Sequence, residues 1–181
     1  DGDLAGEEYH GGDGDFWVAE LDTDLATIRW KRLLGGSDFD RANKVIETSD
    51  GGYIAVGYTS STDGDVVGNH GDSDAWVVKF DQYGNVVWKR CIGGSYDDEA
   101  TDVVEIAPGK YLIVGSTVSD DGDIPPEEVH GSYDAMAILA EEILDSLSVE
   151  RVRCFGGPDP DKAKSVCLLS SISDTEVVAL I

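Results

Sequence analysis

Residues 70–100, HGDSDAWVVKFDQYGNVVWKRCIGGSYDDEA, decide the fold class of this chain. Two apolar segments rich in Val and Trp flank the sequence DQYGN, and a Gly-Gly-Ser sequence with acidic residues follows the second segment. Val, Ile, Tyr and Trp favour β-strands, whereas Asp, Gly and Asn favour turns. The stretch therefore predicts a β-hairpin, and it has no helical periodicity.

The same pattern recurs along the chain. His-Gly occurs at His10, His70 and His130, at intervals of 60 residues, and an Asp and an apolar segment follow each time. Two further apolar segments complete each unit, such as KVIET and GYIAVGYTS in the first. Four short strands in a repeat of about 60 residues are typical of a propeller blade. We predict an all-β fold of four-stranded antiparallel β-propeller blades, with three blades' worth of sequence, as a partial propeller or part of a larger one.

Basic residues predict the order of the strands within a blade. We label the strands a to d, beginning after His-Gly. Lys and Arg concentrate on strand b, as in the pairs Lys31-Arg32 and Lys89-Arg90. Because these side chains protect the unpaired backbone of edge strands, strand b is predicted to be outermost. The order from the inner to the outer edge is then c, d, a, b.

The repeat predicts one repeat domain, residues 1–181. Its units are approximately 10–69, 70–129 and 130–181. Its blades are predicted at 38–95, at 96–157, and as a split blade from 1–37 plus 158–181. Propellers close with about 4 to 8 blades. The count therefore predicts contact with further blades of a longer protein or self-association, for example two sets of three blades.

Charge excludes several classes of partner. The 181 residues include 37 Asp and Glu against 13 Lys and Arg, a formal net charge of −24. Nucleic acids and anionic membrane surfaces both require a basic footprint, so neither is a predicted partner. No apolar run approaches the ~18 residues of a membrane span, so no membrane insertion is predicted.

The repeat resembles known propeller sequences. YIAVGYT and YLIVGST, then WVVKFD and NVVWKR, then the Gly-Gly-Ser sequences are similar in order to a kelch repeat. Nearly the whole chain resembles more closely the secreted bacterial β-propeller repeats of the DGGYI-VG, DAWVVK-D, GN--W and GGS--D-A type. The third unit departs from them, with Met136 and Arg151 at positions where the other units have Trp. The resemblance implies an extracellular or cell-surface module, and it implies no catalytic residue.

The acidic loops contain candidate calcium ligands. Connections d-to-a and b-to-c emerge on the same face of an antiparallel blade, and both are rich in Asp. Asp carboxylates two residues apart, with a nearby amide oxygen, are the hard oxygen ligands that Ca²⁺ takes. The candidates are Asp63, Asp65, Asn69, Asp121 and Asp123. The alternative is that Asp-Gly pairs form turns and accept local backbone hydrogen bonds.

Candidate ligand-binding residues lie in the same loops. Tyr9, Tyr96 and Tyr133 are aromatic residues of acidic loops, and His70 belongs to the repeated His-Gly. Repetition of the histidines and of the Asp before each strand a also has a purely structural explanation, because every blade needs the same loop geometry. The tryptophans are predicted to pack between blades, and the three cysteines to be free and buried.

No catalytic motif is present. The chain has no nucleophile elbow, no phosphate-binding loop with Lys, and no Cys with a nearby general base. We therefore predict a non-catalytic binding module for a glycan or a protein, on an acidic and calcium-binding loop face. The alternative is a structural spacer repeat of a larger surface protein. A glycosidase is a third interpretation, because its chemistry needs only two suitably spaced carboxylates.

Overall fold

The computed structural model describes residues 5–7, 9–169 and 177–180. Within these ranges the chain is all-β, with a single-turn 3₁₀ helix at Pro126–Glu128 and no α-helix. No helix there has the length and hydrophobicity needed to cross a membrane. The strands are β1 Phe16–Leu21, β2 Ile28–Leu34, β3 Asp40–Glu47, β4 Tyr53–Thr59, β5 Asp74–Phe80, β6 Val86–Ile92, β7 Asp98–Ala107, β8 Lys110–Thr117, β9 Asp134–Glu142, β10 Leu147–Phe155, β11 Val166–Leu169 and β12 Val177–Leu180.

The strands form four antiparallel sheets. Two sheets have four strands, in the orders β3-β4-β5-β6 and β7-β8-β9-β10. Both follow the predicted order c, d, a, b, and the basic strand b lies at a sheet edge in each, as β6 or β10. The predicted strand order is therefore confirmed in these two sheets.

The number of sheets differs from the prediction. Instead of a third four-stranded sheet, the described residues form two two-stranded sheets, β1-β2 and β11-β12. The physical reason is their position: β1 contacts β3, whereas β11 contacts β7. The two short sheets therefore pack on different four-stranded sheets, on opposite sides of the molecule.

The sheets stack as layers with a hydrophobic core between each pair. On β5, Ala75 and Val77 point into the core shared with β7–β10, while Trp76, Val78 and Phe80 point into the core shared with β1–β2. Successive side chains of a strand alternate between faces, so a strand covered on both sides must be apolar throughout. This explains the nearly continuous apolar run of β5, every residue of which is buried.

Glycines allow strand d to approach strand c closely. A β-carbon at Gly57 would lie 1.8 Å from the Arg41 carbonyl oxygen, and one at Gly115 would lie 1.7 Å from that of Glu99. The register of strand c shifts immediately after both contacts, past Ala42 in β3 and the equivalent position in β7. The glycine of the Val-Gly sequence shared by β4 and β8 is therefore needed for the close approach of the two backbones.

The cysteine and tryptophan predictions are confirmed in part. Cys91 and Cys154 are free and buried, and burial raises the pKa of both thiols to about 12. Cys167 is also free but is exposed, so its predicted burial was wrong. It lies on β11, in a sheet of only two strands. Trp17 is likewise 48% exposed, although the other tryptophans are at least partly buried.

Candidate functional site

The Asp-Gly-Asp loops dock on the Gly-Gly-Ser turns. Asp63 Oδ1 accepts the Ser37 backbone N–H at 2.7 Å, and Asp121 Oδ1 accepts the Ser95 N–H at the same distance. A β-carbon at Gly36 would lie 2.4 Å from Asp63 Oδ1, so only glycine permits the approach. Hydrogen bonds from the two serines lower the pKa of both carboxyl groups. The two sequence motifs are therefore parts of one contact between neighbouring loops.

The other predicted calcium ligands also have protein partners. Asp65 Oδ1 lies 2.9 Å from Lys89 Nζ, and Asp123 lies 3.2 Å from Arg90 Nη2. Asn69 Nδ2 donates to two backbone carbonyls, at 3.0 and 3.4 Å. In the part of the chain that the structure describes, no three His, Cys, Asp or Glu side chains form a group that could hold a metal ion. Calcium binding stays a prediction.

The repeated histidines belong to a loop contact. Each donates its backbone N–H to the Asp before strand a, in the pairs His10 with Asp15, His70 with Asp74, and His130 with Asp134. The His70 ring also contacts Asp74, with Nδ1 2.6 Å from Oδ2. This geometry supports a structural role for the repeated His-Gly.

Paired carboxylates lie beneath the Gly-Gly turns. A β-carbon at Gly93 would lie 2.5 Å from Asp98 Oδ2 and 2.7 Å from Asp74 Oδ1. Asp98 Oδ2 accepts hydrogen bonds from the Gly94 N–H and the Ser119 hydroxyl, both at 2.8 Å. Burial raises the pKa of Asp98 to about 6 and also raises that of Asp74. Equivalent pairs occur at Gly35, with Asp40 and Asp15, and at Gly156, with Asp161 and Asp134.

A pocket of about 330 Å³ opens on the face formed by the d-to-a and b-to-c connections. Its residues come from the ends of β4 and β8, from the start of β7, and from the loops that precede β3, β5, β7, β9 and β11. They are Phe39, Tyr58, Ser60, Ser73, Asp97, Glu99, Ser116, Tyr133 and Lys162. The pocket therefore lies between the two four-stranded sheets, where the predicted loop face is.

Aromatic rings form the walls of this pocket. Phe39 and Tyr58 are stacked, with ring centroids 5.7 Å apart and planes at 27°. Lys162 Nζ lies 3.9 Å from the centroid of the Tyr133 ring, within cation–π range. Burial raises the pKa of Tyr133, and the nearby Asp97 raises it further. The phenol is therefore protonated at neutral pH.

Two carboxylates supply hydrogen-bond acceptors in the pocket. Asp97 Oδ1 accepts the Ser73 hydroxyl at 2.8 Å, and the Tyr133 hydroxyl lies 3.5 Å from Oδ2. Glu99 Oε1 accepts the Asn43 side-chain amide at 2.9 Å. A carboxylate oxygen has more than one lone pair. Both side chains therefore retain acceptor capacity for a ligand.

The structure places one predicted ligand-binding residue, Tyr133, in this pocket. The other three do not line it. The Tyr9 hydroxyl donates to the Gly12 carbonyl, His70 bonds Asp74, and the side chain of Tyr96 is exposed.

Sequence reasoning missed most of the pocket because it followed what repeats. Phe39 occupies the position of Asp97, Tyr58 that of Ser116, and Ser73 that of Tyr133 in the next unit. The pocket could have been predicted from positions that differ between units and lie next to positions that recur. The pocket is therefore a single asymmetric site.

No protein-family model matches the chain, and no curated protein is significantly similar to it. Its function must therefore be argued from the geometry of the site.

Proposed function

We propose that this chain is a non-catalytic module of a secreted or cell-surface protein, with its four-stranded sheets as β-propeller blades, and that it binds a neutral glycan in the pocket between them. The observation that carries the proposal is the composition of the pocket. Phe39, Tyr58 and Tyr133 replace non-aromatic residues at the equivalent positions of a neighbouring unit, and all three line the same cavity. A purely structural repeat has no need for this asymmetry.

The chemistry of the pocket favours a polyhydroxylated ligand. A pyranose ring has an apolar C–H face, which can stack on the exposed parts of the Tyr58 and Tyr133 rings, and hydroxyl groups, which can donate to Asp97 and Glu99. Such a mixture of aromatic surface and a few polar groups is typical of small-ligand sites. The net charge of −24 disfavours acidic polysaccharides by repulsion. A neutral sugar is therefore the best match.

Binding is tested with immobilised hexasaccharides of glucose, mannose, galactose and N-acetylglucosamine, beside a hexagalacturonate and a hexalysine peptide. The informative variants are Tyr58→Ser and Tyr133→Ser, which introduce the residue that the neighbouring unit has at the equivalent position. The matched control is Tyr83→Ser, because Tyr83 is an exposed tyrosine of the β5–β6 turn. We expect binding to at least one neutral hexasaccharide, a loss of about tenfold or more in both pocket variants, as for a stacked aromatic ring, and no loss in the control.

Four results would overturn the proposal. Binding to no neutral hexasaccharide would favour the spacer interpretation, and binding to hexalysine alone would indicate a basic protein ligand. Equal affinity in the wild type and both pocket variants would place the site elsewhere. Release of shorter sugars from a bound hexasaccharide would contradict the non-catalytic role and indicate a glycosidase.

A further inference from the structure

Strand β1 has an open edge. Among the described residues it pairs with β2 alone, whereas the equivalent strands β5 and β9 each pair on both sides. In both four-stranded sheets, strand d covers this edge of strand a, with Thr59 opposite Asp74 and Thr117 opposite Asp134. The edge of β1 that faces away from β2 therefore has the form of an acceptor for a strand of type d.

Apolar side chains beside this edge are exposed. Trp17 is 48% exposed, whereas Trp76 at the equivalent position of β5 is 0% exposed. Val45 of β3 is 42% exposed, whereas Val103 at the equivalent position of β7 is 0% exposed. A cleft of about 270 Å³ lies between the two strands, lined by β1 and by residues 42–45. A strand of type d paired with β1 would lie beside β3 in the way that β4 lies beside β7.

The chain also contains a strand of the required type. β12 pairs with β11 in the same antiparallel manner in which β4 pairs with β3, with Val166 opposite Leu180. Among the described residues β12 forms no other pairing. The edge of β12 that faces away from β11 is therefore open. The equivalent edge of β4 is paired with β5.

We propose that β11–β12 of a second copy of this chain completes the sheet of β1–β2. The donated β12 pairs antiparallel with β1, and the sheet has the order β11-β12-β1-β2, the order c, d, a, b of the other two. Because each copy carries both an acceptor and a donor, copies join head to tail, and two copies that close into a ring make two identical contacts. With the sheets as the propeller blades proposed above, two copies of these strands supply six blades, within the about 4 to 8 at which propellers close.

The oligomeric state tests this proposal. We expect a dimer by native mass spectrometry and by light scattering. Trp17→Glu, which places a charge in the cleft, should give a monomer. Val67→Glu is the matched control, since Val67 is an exposed apolar residue in the loop after β4, and it should remain a dimer. A wild-type monomer, or the same dimer after Trp17→Glu, would overturn the proposal.

Mixing two defective variants separates loss of contact from loss of folding. Trp17→Glu lacks the acceptor edge but keeps the donor, whereas the double variant Val178→Pro with Ala179→Pro lacks the donor because proline cannot complete a strand ladder. We expect each to be monomeric alone and the mixture to give a one-to-one heterodimer through the remaining contact. Absence of a heterodimer would overturn the proposal. The test is independent of glycan binding.

Discussion

The sheet β3–β6 packs against another sheet on each of its two faces. Both interfaces are formed by the same repeat positions, but their apolar side chains are buried to different extents. Toward β7–β10, Trp88 and Val103 are buried in a continuous core. Toward β1–β2, Phe16 and Trp76 pack together, with ring centroids 4.9 Å apart, but Trp17 and Val45 remain exposed. Residues at equivalent repeat positions therefore contribute differently to stability, because burial depends on the neighbouring strand and not on residue type.

The largest expected difference is between the two equivalent tryptophans. Trp76→Ala removes a fully buried ring, so we expect a loss of about 3 to 5 kcal/mol in the free energy of unfolding. Trp17→Ala should change it by less than about 1 kcal/mol when the chain is dilute enough to be monomeric, since much of the ring is in water. Urea denaturation measures both. Similar losses in the two variants would contradict the comparison.

The carboxylate pairs are a feature that the two interfaces share, and they predict a pH dependence. Burial raises the pKa of Asp98 to about 6 at one interface and raises that of Asp40 at the other. The carboxyl groups of Asp98 and Asp40 therefore bind a proton more tightly in the folded state than in the unfolded chain. For Asp98 this contribution to stability is complete below about pH 4 and is lost as pH rises through about 6, and for Asp40 the contribution is likewise lost as pH rises. For Asp98 the loss is up to about 3 kcal/mol.

The free energy of unfolding, measured between pH 4 and pH 7, tests whether the carboxyl groups at both interfaces give this pH dependence. Asp98→Asn and Asp40→Asn should each flatten the fall in stability with rising pH. Asp120→Asn, at an exposed position beside the same loop, is the matched control. The same slope in the wild type and in both variants would show that these two carboxyl groups do not bind protons more tightly in the folded state.

The smallest expected effect concerns a position at which the two four-stranded sheets differ. Lys79 of β5 is buried, with Nζ 2.8 Å from Asp50 Oδ2, whereas β9 has Leu139 at the equivalent position. Burial raises the pKa of Asp50, but hydrogen bonds from Lys79 and Thr48 outweigh it and lower that pKa to about 2.

Lys79→Leu should change the free energy of unfolding by no more than about 1 kcal/mol. Replacing a buried charge removes its desolvation penalty together with the ion pair, and Asp50 is exposed enough to be solvated. Thermal unfolding at two salt concentrations measures the effect, with Lys89→Leu as the control at an ion pair whose lysine is more exposed. A loss above about 3 kcal/mol would show that the two sheets need different residues at this position.

The candidate site was less accessible to sequence reasoning than the fold. Repetition predicted the acidic loop face, and Tyr133 was predicted because it is an aromatic residue in one of the acidic loops. Phe39 and Tyr58 belong to the first unit and Lys162 to the third, and their proximity follows from how the sheets stack. The Asp63 and Asp121 carboxylates suggested a metal site because their spacing is visible, whereas their partners, Ser37 and Ser95, are 26 residues away.

The sequence by itself determined the all-β class, the antiparallel strand order and the shared loop geometry. These properties depend on local alternation, turn residues and a 60-residue repeat, which are written along the chain. Only the tertiary structure decided which copies of a repeated residue are buried, which Asp groups lie against a glycine turn, and where a pocket opens. Those properties depend on the neighbouring sheet. A Trp at one repeat position is therefore core in β5 and surface in β1, because a strand d covers the first, whereas no strand among the described residues covers the same edge of the second.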